Sequence, residues 1–335
     1  MQLKWGIAAS GKISNDFVQA LKALPTSDHK VVAIASRTLA SSDKFAKTHG
    51  ISTAYEGYDK LAKDENVDVV YVGVLNPQHY DVVKLLLEGG KHVLCEKPFT
   101  MNEKQTRKLI SLSKEKKLFL MEAVWSRFFP VYKELKKVID AGEIGEVKEV
   151  SVDFGMPLNQ VDRLNKKELG GGTILDLGIY TLQFQQYIFR GLTPIKVVAN
   201  GQLNEDGVDK FAAAIITYEQ DKMAVVSCSA VVQNSCEARV YGTKGSIKIP
   251  FFWCPTSMVI NGKTREFPLI ENDRTFNYSN SAGLAYQAEE VRKCIMAGKI
   301  ESPQMTHDET IQLAQLMDKM RKELGVVYSA DSQTY

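Results

Sequence analysis

A charged pair follows an apolar run that is typical of a buried strand. The run His92-Val93-Leu94 leads into Glu96 and Lys97, and Pro98 comes next. Proline lacks an N–H group and has a fixed φ, so it ends the strand and places the pair in the loop at its carboxyl end. Ligands bind at that edge of open parallel sheets. The Lys97 ammonium could hold a substrate oxygen there, or it could form a surface salt bridge.

A second group of candidate residues follows three consecutive glycines, Gly170 to Gly172. The run after them has helical spacing of apolar residues and places Asp176 and Tyr180 four residues apart on one face. Tyrosine titrates near ~10, and we expect an ammonium such as that of Lys97 to lower the pKa of Tyr180. The alternative is a tyrosine anchored by its hydroxyl in the core. The apolar positions are Ile174, Leu175, Ile179 and Leu182.

The first half of the chain alternates apolar strands with helices. Continuous apolar strands of this kind predict a doubly wound parallel sheet with helices on both faces. We expect a dinucleotide-binding domain over residues 1–123. The strands are predicted at residues 3–9, 31–35, 67–74 and 93–94, and the helices at 13–24, 39–48 and 78–88.

The turn after the first strand predicts a nucleotide site. A dinucleotide fingerprint has the pattern Gly-x-Gly-x-x-Gly/Ala here, which lets the backbone approach a pyrophosphate at the helix N-terminus. This chain has only the middle glycine, Gly11, with small residues at the other two places. The residues predicted to contact the cofactor are Ala9, Ser10, Gly11, Lys12 and Ile13.

The end of the second strand indicates which dinucleotide binds. An acidic residue there would accept hydrogen bonds from the ribose of NAD, but this strand ends in Ser36-Arg37-Thr38. Arg37 can pair with a phosphate in bidentate fashion, and the two hydroxyls can donate to it. We therefore predict NADP as the cofactor. The alternative is an ordinary surface arginine.

Two further strand ends supply candidate residues at the same edge. After residue 74 come Asn76, Pro77 and His79, which could line the nicotinamide ribose or cap the next helix. After the apolar run 118–121 come Trp125 and Arg127, which could shape a site where the two domains meet. A buried tryptophan is also common in an ordinary core.

From about residue 147 the pattern changes to strands separated by turns. We predict strands at 147–154, 195–201, 211–218, 223–232, 237–241 and 246–249. With no helices between the runs from residue 195 onward, an α+β domain with a large, mostly antiparallel open sheet is expected over residues 124–335. Helices on one face would leave the other free, which predicts a homodimer through the sheet. Helices are predicted at 283–297 and 307–324.

Composition excludes several classes of protein. A chain of 335 residues favours two domains, and a net charge of +2 without a Lys/Arg block excludes a nucleic-acid partner. Five scattered cysteines indicate reduced thiols, no zinc site and a cytoplasmic location. No apolar run is long enough to span a membrane, and the N-terminus enters a strand at once, so we expect no signal peptide.

Taken together, these motifs resemble those of the glucose–fructose oxidoreductase/inositol dehydrogenase superfamily. The resemblance covers essentially the whole chain. Within the superfamily, the motifs are most similar to those of the branch of dimeric dihydrodiol and D-xylose dehydrogenases. The motifs that carry it are 9–13, 76–79, Glu96-Lys97-Pro98, the segment 171–180, Glu122-Ala123-Val124-Trp125-Ser126-Arg127-Phe128-Phe129-Pro130 and Phe252-Trp253-Cys254-Pro255-Thr256.

The resemblance implies a Rossmann domain, a second α/β domain with an open sheet, and a homodimer. It places Lys97 and Tyr180 at the reacting carbon with Asp176 nearby. Tyr180 stands where many members of the superfamily have histidine, which separates this chain from inositol dehydrogenases. Ala9 departs from the usual first glycine. Other assigned residues are Glu96, Trp125 and Arg127 near the cofactor, and Trp125, Phe154 and Trp253 as walls of the substrate pocket.

The function expected on this basis is metal-free hydride transfer between NADP and a secondary alcohol carbon of a sugar or trans-dihydrodiol. Tyr180 would be the general acid/base, Lys97 would stabilise charge on the substrate oxygen, and Asp176 would orient a hydroxyl or tune Lys97. Two alternatives remain at this point. The first is a different substrate, namely another aldose, an anhydro-sugar or a dicarbonyl compound, and the second is a non-catalytic regulator that binds NADP(H).

Overall fold

A computed structural model describes residues 2–271 and 273–335. The first half contains a six-stranded sheet in the order β3-β2-β1-β4-β5-β6, and every pair of neighbours is parallel. This is the strand order of a Rossmann fold, as predicted. The strands are β1 (Leu3–Ala8), β2 (His29–Ser36), β3 (Thr53–Glu56), β4 (Val69–Val72), β5 (His92–Glu96) and β6 (Leu120–Ala123).

Helices cover both faces of this sheet, and its strands other than the edge strand β3 are mostly buried. The burial explains why the strand sequences are continuously apolar instead of alternating. The carboxyl ends of β1, β2 and β4 meet at one edge, where the predicted cofactor residues lie. The helices are α1 (Lys12–Leu21), α2 (Leu39–His49), α3 (Tyr58–Lys63), α4 (His79–Glu88) and α5 (Glu103–Lys116).

The second half is built on an eight-stranded sheet in the order β14-β13-β12-β11-β7-β10-β9-β8. Among its neighbours only β7 and β10 pair in parallel, so the sheet is mostly antiparallel, as predicted. The strands are β7 (Val147–Gly155), β8 (Lys196–Leu203), β9 (Asp209–Tyr218), β10 (Lys222–Ser229), β11 (Glu237–Gly242), β12 (Gly245–Pro250), β13 (Ser257–Ile260) and β14 (Lys263–Glu266).

Helices pack on one face of the second sheet, and its other face is open. The contacts on the covered face come chiefly from α8 and α10. The remaining helices are α6 (Pro130–Asp140), α7 (Asp162–Asn165), α8 (Ile179–Ile188), α9 (Leu284–Met296) and α10 (His307–Leu324).

Several elements lie where none was predicted, namely β3, α3, α5, α6, α7, β13 and β14. A π-helical turn, Ile174–Gly178, also replaces the first turn of the predicted α-helix. Such turns are rare and are frequent at functional sites. None of the described helices is long and apolar enough to cross a membrane.

Candidate active site

The predicted lysine and aspartate form an ion pair that joins the two halves of the chain. Lys97 Nζ lies 3.0 Å from Asp176 Oδ1 and donates to the Asp176 backbone oxygen at 2.8 Å. Arg163 on α7 also pairs with Asp176, at 2.9 Å. Burial opposes ionisation of Asp176, but the charges of Lys97 and Arg163 hold its pKa well below the usual range. Asp176 is therefore ionised at neutral pH.

Tyr180 lies beside this ion pair. Lys97 Nζ is 4.8 Å from the centre of the Tyr180 ring, and Trp125 Nε1 donates to the phenol oxygen at 2.9 Å. Burial, followed by the charge of Glu96, raises the pKa of Tyr180 well above its ordinary value. The expectation of a lowered pKa is therefore wrong, because burial and the charge of Glu96 outweigh any effect of Lys97. Tyr180 is a neutral phenol whose proton is free to be donated.

Aromatic side chains surround the phenol. Phe154 on β7 stacks against Trp253 with ring centres 4.1 Å apart, and it meets Tyr180 edge-on at 5.8 Å. Together with Trp125, these rings provide an apolar surface next to the polar group formed by Lys97 and Asp176. The structure thus brings together all of the residues expected in the catalytic group and the substrate pocket.

A cleft of about 500 Å³ opens at the carboxyl edge of the Rossmann sheet. Gly11 is the N-cap of α1 and has no side-chain cap, so the first N–H groups of this helix are available to a ligand. A Cβ atom on Gly11 would meet nothing within 4 Å, which shows that this turn faces open space. The cleft is lined by Ala9, Ser10, Gly11, Ser36, Arg37, Thr38, Ser41, Tyr58, Gly73, Val74, Leu75 and Gln78.

Two predicted cofactor residues stand at the margin of this cleft, and the conformation of a third is unusual. Lys12 is exposed in the first turn of α1, and Ile13 is half-buried against the core, so neither is among the residues that line the cleft. Ala9 adopts φ +87°, a value that favours glycine. Ala9 thus has a backbone conformation that glycine adopts without strain.

His79 lies beneath the site and not in it. Its ring is buried, with Nδ1 2.7 Å from the Pro98 oxygen and Nε2 3.1 Å from the Val74 oxygen. The buried ring has no surface for the cofactor contact that was predicted for it, and its neutral imidazole donates to one of these two backbone oxygens. The ring instead ties the wall of the cleft at Val74 to the loop that carries Lys97.

Three other candidate residues also have structural partners. The Glu96 carboxylate is buried and accepts from the Tyr71 hydroxyl at 2.6 Å. Asn76 donates to the Gly170 oxygen at 3.0 Å, and a Cβ atom on Gly170 would lie 3.0 Å from Pro77. The loop after β4 is thus packed against the glycine triplet. Its half-buried residues Asn76 and Pro77 do not line the cleft.

Arg127 is fully buried in the second half of the chain. Its guanidinium donates to Glu309 at 2.7 Å, to Gln186 at 2.6 Å and to Gln183 at 3.2 Å. The side chain has no accessible surface with which to touch a ligand. Arg127 therefore has no surface for the cofactor contact that was predicted for it, and its guanidinium holds α8 and α10 together.

Some residues of the site were not predicted. Arg163 stands in the short helix α7, and no spacing in the sequence distinguishes it from a surface arginine. Glu122 accepts the Phe99 N–H at 2.9 Å and so supports the loop after Lys97, and burial raises the pKa of Glu122 to about 7. Its position directly after the apolar run 118–121 was an available signal. Tyr58 and Ser41 line the cleft beside Arg37.

No cluster of three or more His, Cys, Asp or Glu side chains within the described ranges 2–271 and 273–335 is arranged to hold a metal ion.

Comparisons with known proteins agree with this architecture. A family model described as an oxidoreductase family with an NAD-binding Rossmann fold matches residues 3–124. A second, described as the GFO/IDH/MocA C-terminal domain, matches residues 132–248. Trans-1,2-dihydrobenzene-1,2-diol dehydrogenase of Danio rerio is 44% identical over 334 residues, which are 99% of this chain and 100% of the relative. The chain belongs to the GFO/IDH/MocA family.

A more distant relative and two solved structures extend this result. The human protein named trans-1,2-dihydrobenzene-1,2-diol dehydrogenase is 40% identical over 335 residues, covering 99% of this chain and 100% of its own. The 3-ketoreductase KijD10 of Actinomadura kijaniata, in complex with NADP and TDP-benzene, has a TM-score of 0.81 at 23% identity and covers 96% of this chain and 98% of its own.

Aldose-aldose oxidoreductase of Caulobacter crescentus, complexed with glycerol, has a TM-score of 0.82 at 22% identity, with 97% and 98% coverage. At these identities the two solved structures establish the fold alone. The GFO/IDH/MocA membership predicted from the motifs is thus confirmed, and so is the predicted class of enzyme. The protein is an oxidoreductase with an NAD(P)-binding Rossmann fold.

Proposed function

We propose that this enzyme uses NADP to oxidise a secondary alcohol carbon of a trans-dihydrodiol or a sugar such as D-xylose or D-glucose, or NADPH to reduce the corresponding carbonyl. The observation that carries the proposal is the neutral phenol of Tyr180, which accepts from Trp125 and stands beside the Lys97–Asp176 pair. An apolar wall next to polar groups suits a ring that bears hydroxyl groups. The names of the relatives at 40% and 44% identity support the diol.

The cleft fits a dinucleotide. Free N–H groups at the start of α1 suit a pyrophosphate, and the exposed Arg37 at the end of β2 suits a 2′-phosphate. NADP, when bound, supplies or accepts the hydride. The NADP named in the KijD10 complex supports this choice, since the two chains share a fold.

The side chains would handle the proton. In the direction of reduction, Tyr180 donates its phenolic proton to the carbonyl oxygen as that oxygen gains charge. The Lys97 ammonium, held in place by Asp176, stabilises the developing alkoxide. In the direction of oxidation, the same phenol oxygen receives the proton from the alcohol. Because the pKa of Tyr180 is raised, the phenol is protonated at neutral pH and ready for the reductive step.

The test is absorbance of the reduced nicotinamide during turnover by the purified protein. NADP and NAD are offered separately, each with a trans-dihydrodiol, D-xylose and D-glucose. We expect turnover with NADP and the diol, and little with NAD. Absence of turnover with every pair, despite saturable binding of NADPH, would overturn the proposed reaction and favour a regulator.

Replacing Arg37 by methionine should raise the Kd of NADPH about 10- to 100-fold, because hydrogen bonds to a charged group contribute roughly 1.5–3 kcal/mol. The Kd of NADH should stay the same, since NADH lacks the 2′-phosphate. Fluorescence titration of both nucleotides measures these constants. Lys44→Met is the matched control, because Lys44 is exposed on α2, the helix that follows Arg37, but does not line the cleft. An equal loss of affinity for NADH would contradict the role given to Arg37.

We also propose that residues 1–123 form the NADP-binding domain and residues 124–335 the substrate-binding and dimerisation domain. The first boundary follows β6, which ends at Ala123. A cytoplasmic location is supported by the five cysteines, all of which are buried free thiols.

A homodimer through the second sheet is supported by apolar residues on the open face. Val198, Ile215 and Val225 are cross-strand neighbours on β8, β9 and β10, and Phe211 and Met223 flank them. Four of these five side chains are more than a third exposed, which is unusual for adjacent large apolar residues.

Replacing Ile215 by aspartate should raise the dimer dissociation constant by about 100-fold or more, because two-fold symmetry buries one unpaired carboxylate from each subunit. Sedimentation velocity over a range of concentrations measures this constant. Met296→Asp is the control, since Met296 is an exposed apolar residue on α9, outside the sheet. If the wild-type protein sediments as a monomer at micromolar concentration, the proposed dimer is wrong.

A further inference from the structure

The helical segment that carries Asp176 and Tyr180 begins in an unusual way. Its first turn, Ile174–Gly178, is π-helical, and α8 continues from it. The first N–H groups of any helix have no partner within the helix. The Asp209 carboxylate provides a hydrogen-bond partner from outside this helix, because its Oδ2 atom accepts the Ile174 N–H at 2.6 Å. Asp209 is the first residue of β9, so the contact joins the catalytic segment to the second sheet.

Asp209 has an environment that a carboxylate rarely occupies. It is 1% exposed, and its Oδ1 atom has no hydrogen-bond partner among the described residues. Burial raises the pKa of Asp209 to about 6. A buried polar atom without a partner is costly. This cost indicates that Asp209 is retained because its other oxygen, Oδ2, binds the N–H group at the start of the helix.

The glycine triplet makes room for this contact. Gly172 has φ +114°, and a Cβ atom there would lie 2.6 Å from Asp209 Oδ1 and 2.9 Å from the Tyr328 hydroxyl. A Cβ atom on Gly171 would lie 2.5 Å from the Leu164 oxygen. Both positions are therefore too crowded for a side chain. The triplet allows the chain to pass close beneath Asp209 immediately before the π-helical turn.

The turn that Asp209 holds sets the position of the catalytic group. Lys97 Nζ binds the backbone oxygen of Asp176 as well as its carboxylate, so a shift of the turn would move the ammonium group. Tyr180 follows two residues after the turn. A small displacement of a reacting group costs about 10²-fold in rate, even when the cause is distant.

We propose that Asp209 is a positioning residue, which fixes the π-helical turn so that Lys97, Asp176 and Tyr180 keep their mutual geometry. The proposal rests on the proposed function for its kinetic readout only. In this proposal the glycine triplet leaves space for Asp209. This role differs from contact with a ligand.

The kinetic test compares Asp209→Ala with Asp209→Asn. We expect the alanine variant to lose about 10- to 100-fold in kcat, with changes below about 3-fold in KM for the alcohol and in Kd for NADPH. The asparagine variant should recover most of kcat, because its amide oxygen can still accept the Ile174 N–H. A residue with a purely structural role would not give such a difference in kcat between the two variants.

Asp318→Ala is the matched control. Asp318 accepts the Glu103 N–H at 2.9 Å at the start of α5, a helix that retains its Asn102 cap and carries none of the proposed catalytic residues. This variant should keep kcat within about 3-fold. Equal losses of kcat in Asp209→Ala and Asp318→Ala, at equal losses of thermal stability, would overturn the proposal.

A second readout does not depend on turnover. The chain has three tryptophans, so 5-fluorotryptophan gives three ¹⁹F resonances, and Trp125→Phe identifies that of Trp125. Since Trp125 donates to Tyr180, its resonance should shift in Asp209→Ala and stay in place in Asp209→Asn and Asp318→Ala. An unshifted Trp125 resonance in Asp209→Ala would overturn the proposal. If the wild-type protein shows no turnover, the proposed function fails, and this resonance still decides the role of Asp209.

Discussion

Replacing Tyr180 by phenylalanine should lower kcat by about 10²–10⁴-fold, the range expected for loss of a general acid. The change removes only the phenolic oxygen, so the ring still packs edge-on against Phe154. NADPH binding should be unaffected, because Tyr180 does not line the cofactor cleft. Steady-state kinetics with the substrate found active, together with NADPH titration, measure both quantities.

The chain offers a matched control for this substitution. Tyr187 lies on the same helix as Tyr180 and is also buried, but its hydroxyl donates to the Tyr132 oxygen at 2.8 Å, away from the catalytic group. Tyr187→Phe removes the same atom and should leave kcat within a few-fold of the wild-type value. A near-normal kcat in Tyr180→Phe would refute the role of the phenol.

Replacing Arg127 by methionine should lower the free energy of unfolding by about 3–5 kcal/mol, the cost of breaking a buried ion pair by removal of one partner. Methionine has a similar length but leaves the polar groups of Gln183, Gln186 and Glu309 without their shared donor. Urea denaturation measures the change. The folded variant should bind NADPH with the wild-type Kd, because Arg127 has no accessible surface.

An exposed ion pair gives the comparison. Arg265 pairs with Glu134 and Glu143, but its side chain is 40% exposed, so Arg265→Met should cost at most about 1 kcal/mol. If Arg127→Met binds NADPH much more weakly at a urea concentration where it remains folded, then Arg127 acts at the cofactor site after all.

The sequence allowed the sheets to be predicted because their strands carry strong patterns. Continuous apolar runs predict the buried Rossmann strands, and alternation predicts the half-open strands of the second sheet. Helix α5 was missed because its sequence is mostly polar, with Leu109 and Ile110 as its main buried apolar residues. The hairpin of β13 and β14 had a usable signal. Its turn is Asn261-Gly262, and both residues adopt the positive φ that such a pair favours.

Much of the candidate site was predictable for a different reason. Residues at strand ends share one edge of a parallel sheet whatever the details of the loops, and this places Gly11, Arg37 and Lys97. The direction in which a side chain points could not be predicted in this way. Arg127 points into the core because its partner Glu309 lies there. Glu309 is 182 residues later in the chain, and no local sequence pattern indicates this contact. The same holds for His79, whose partners are backbone oxygens of two separate loops.

The position of β7 has a consequence for how the chain folds. Val150 pairs with Ala224 on β10 and with Val240 on β11, so both neighbours of β7 come much later in the chain. Pairing between distant segments is slow, because long loops must close before any contact is gained. Until then, unpaired strand edges can form hydrogen bonds with strands of other chains. During synthesis, β7 therefore has an unpaired edge until β11 has been made, and we expect this interval to favour aggregation.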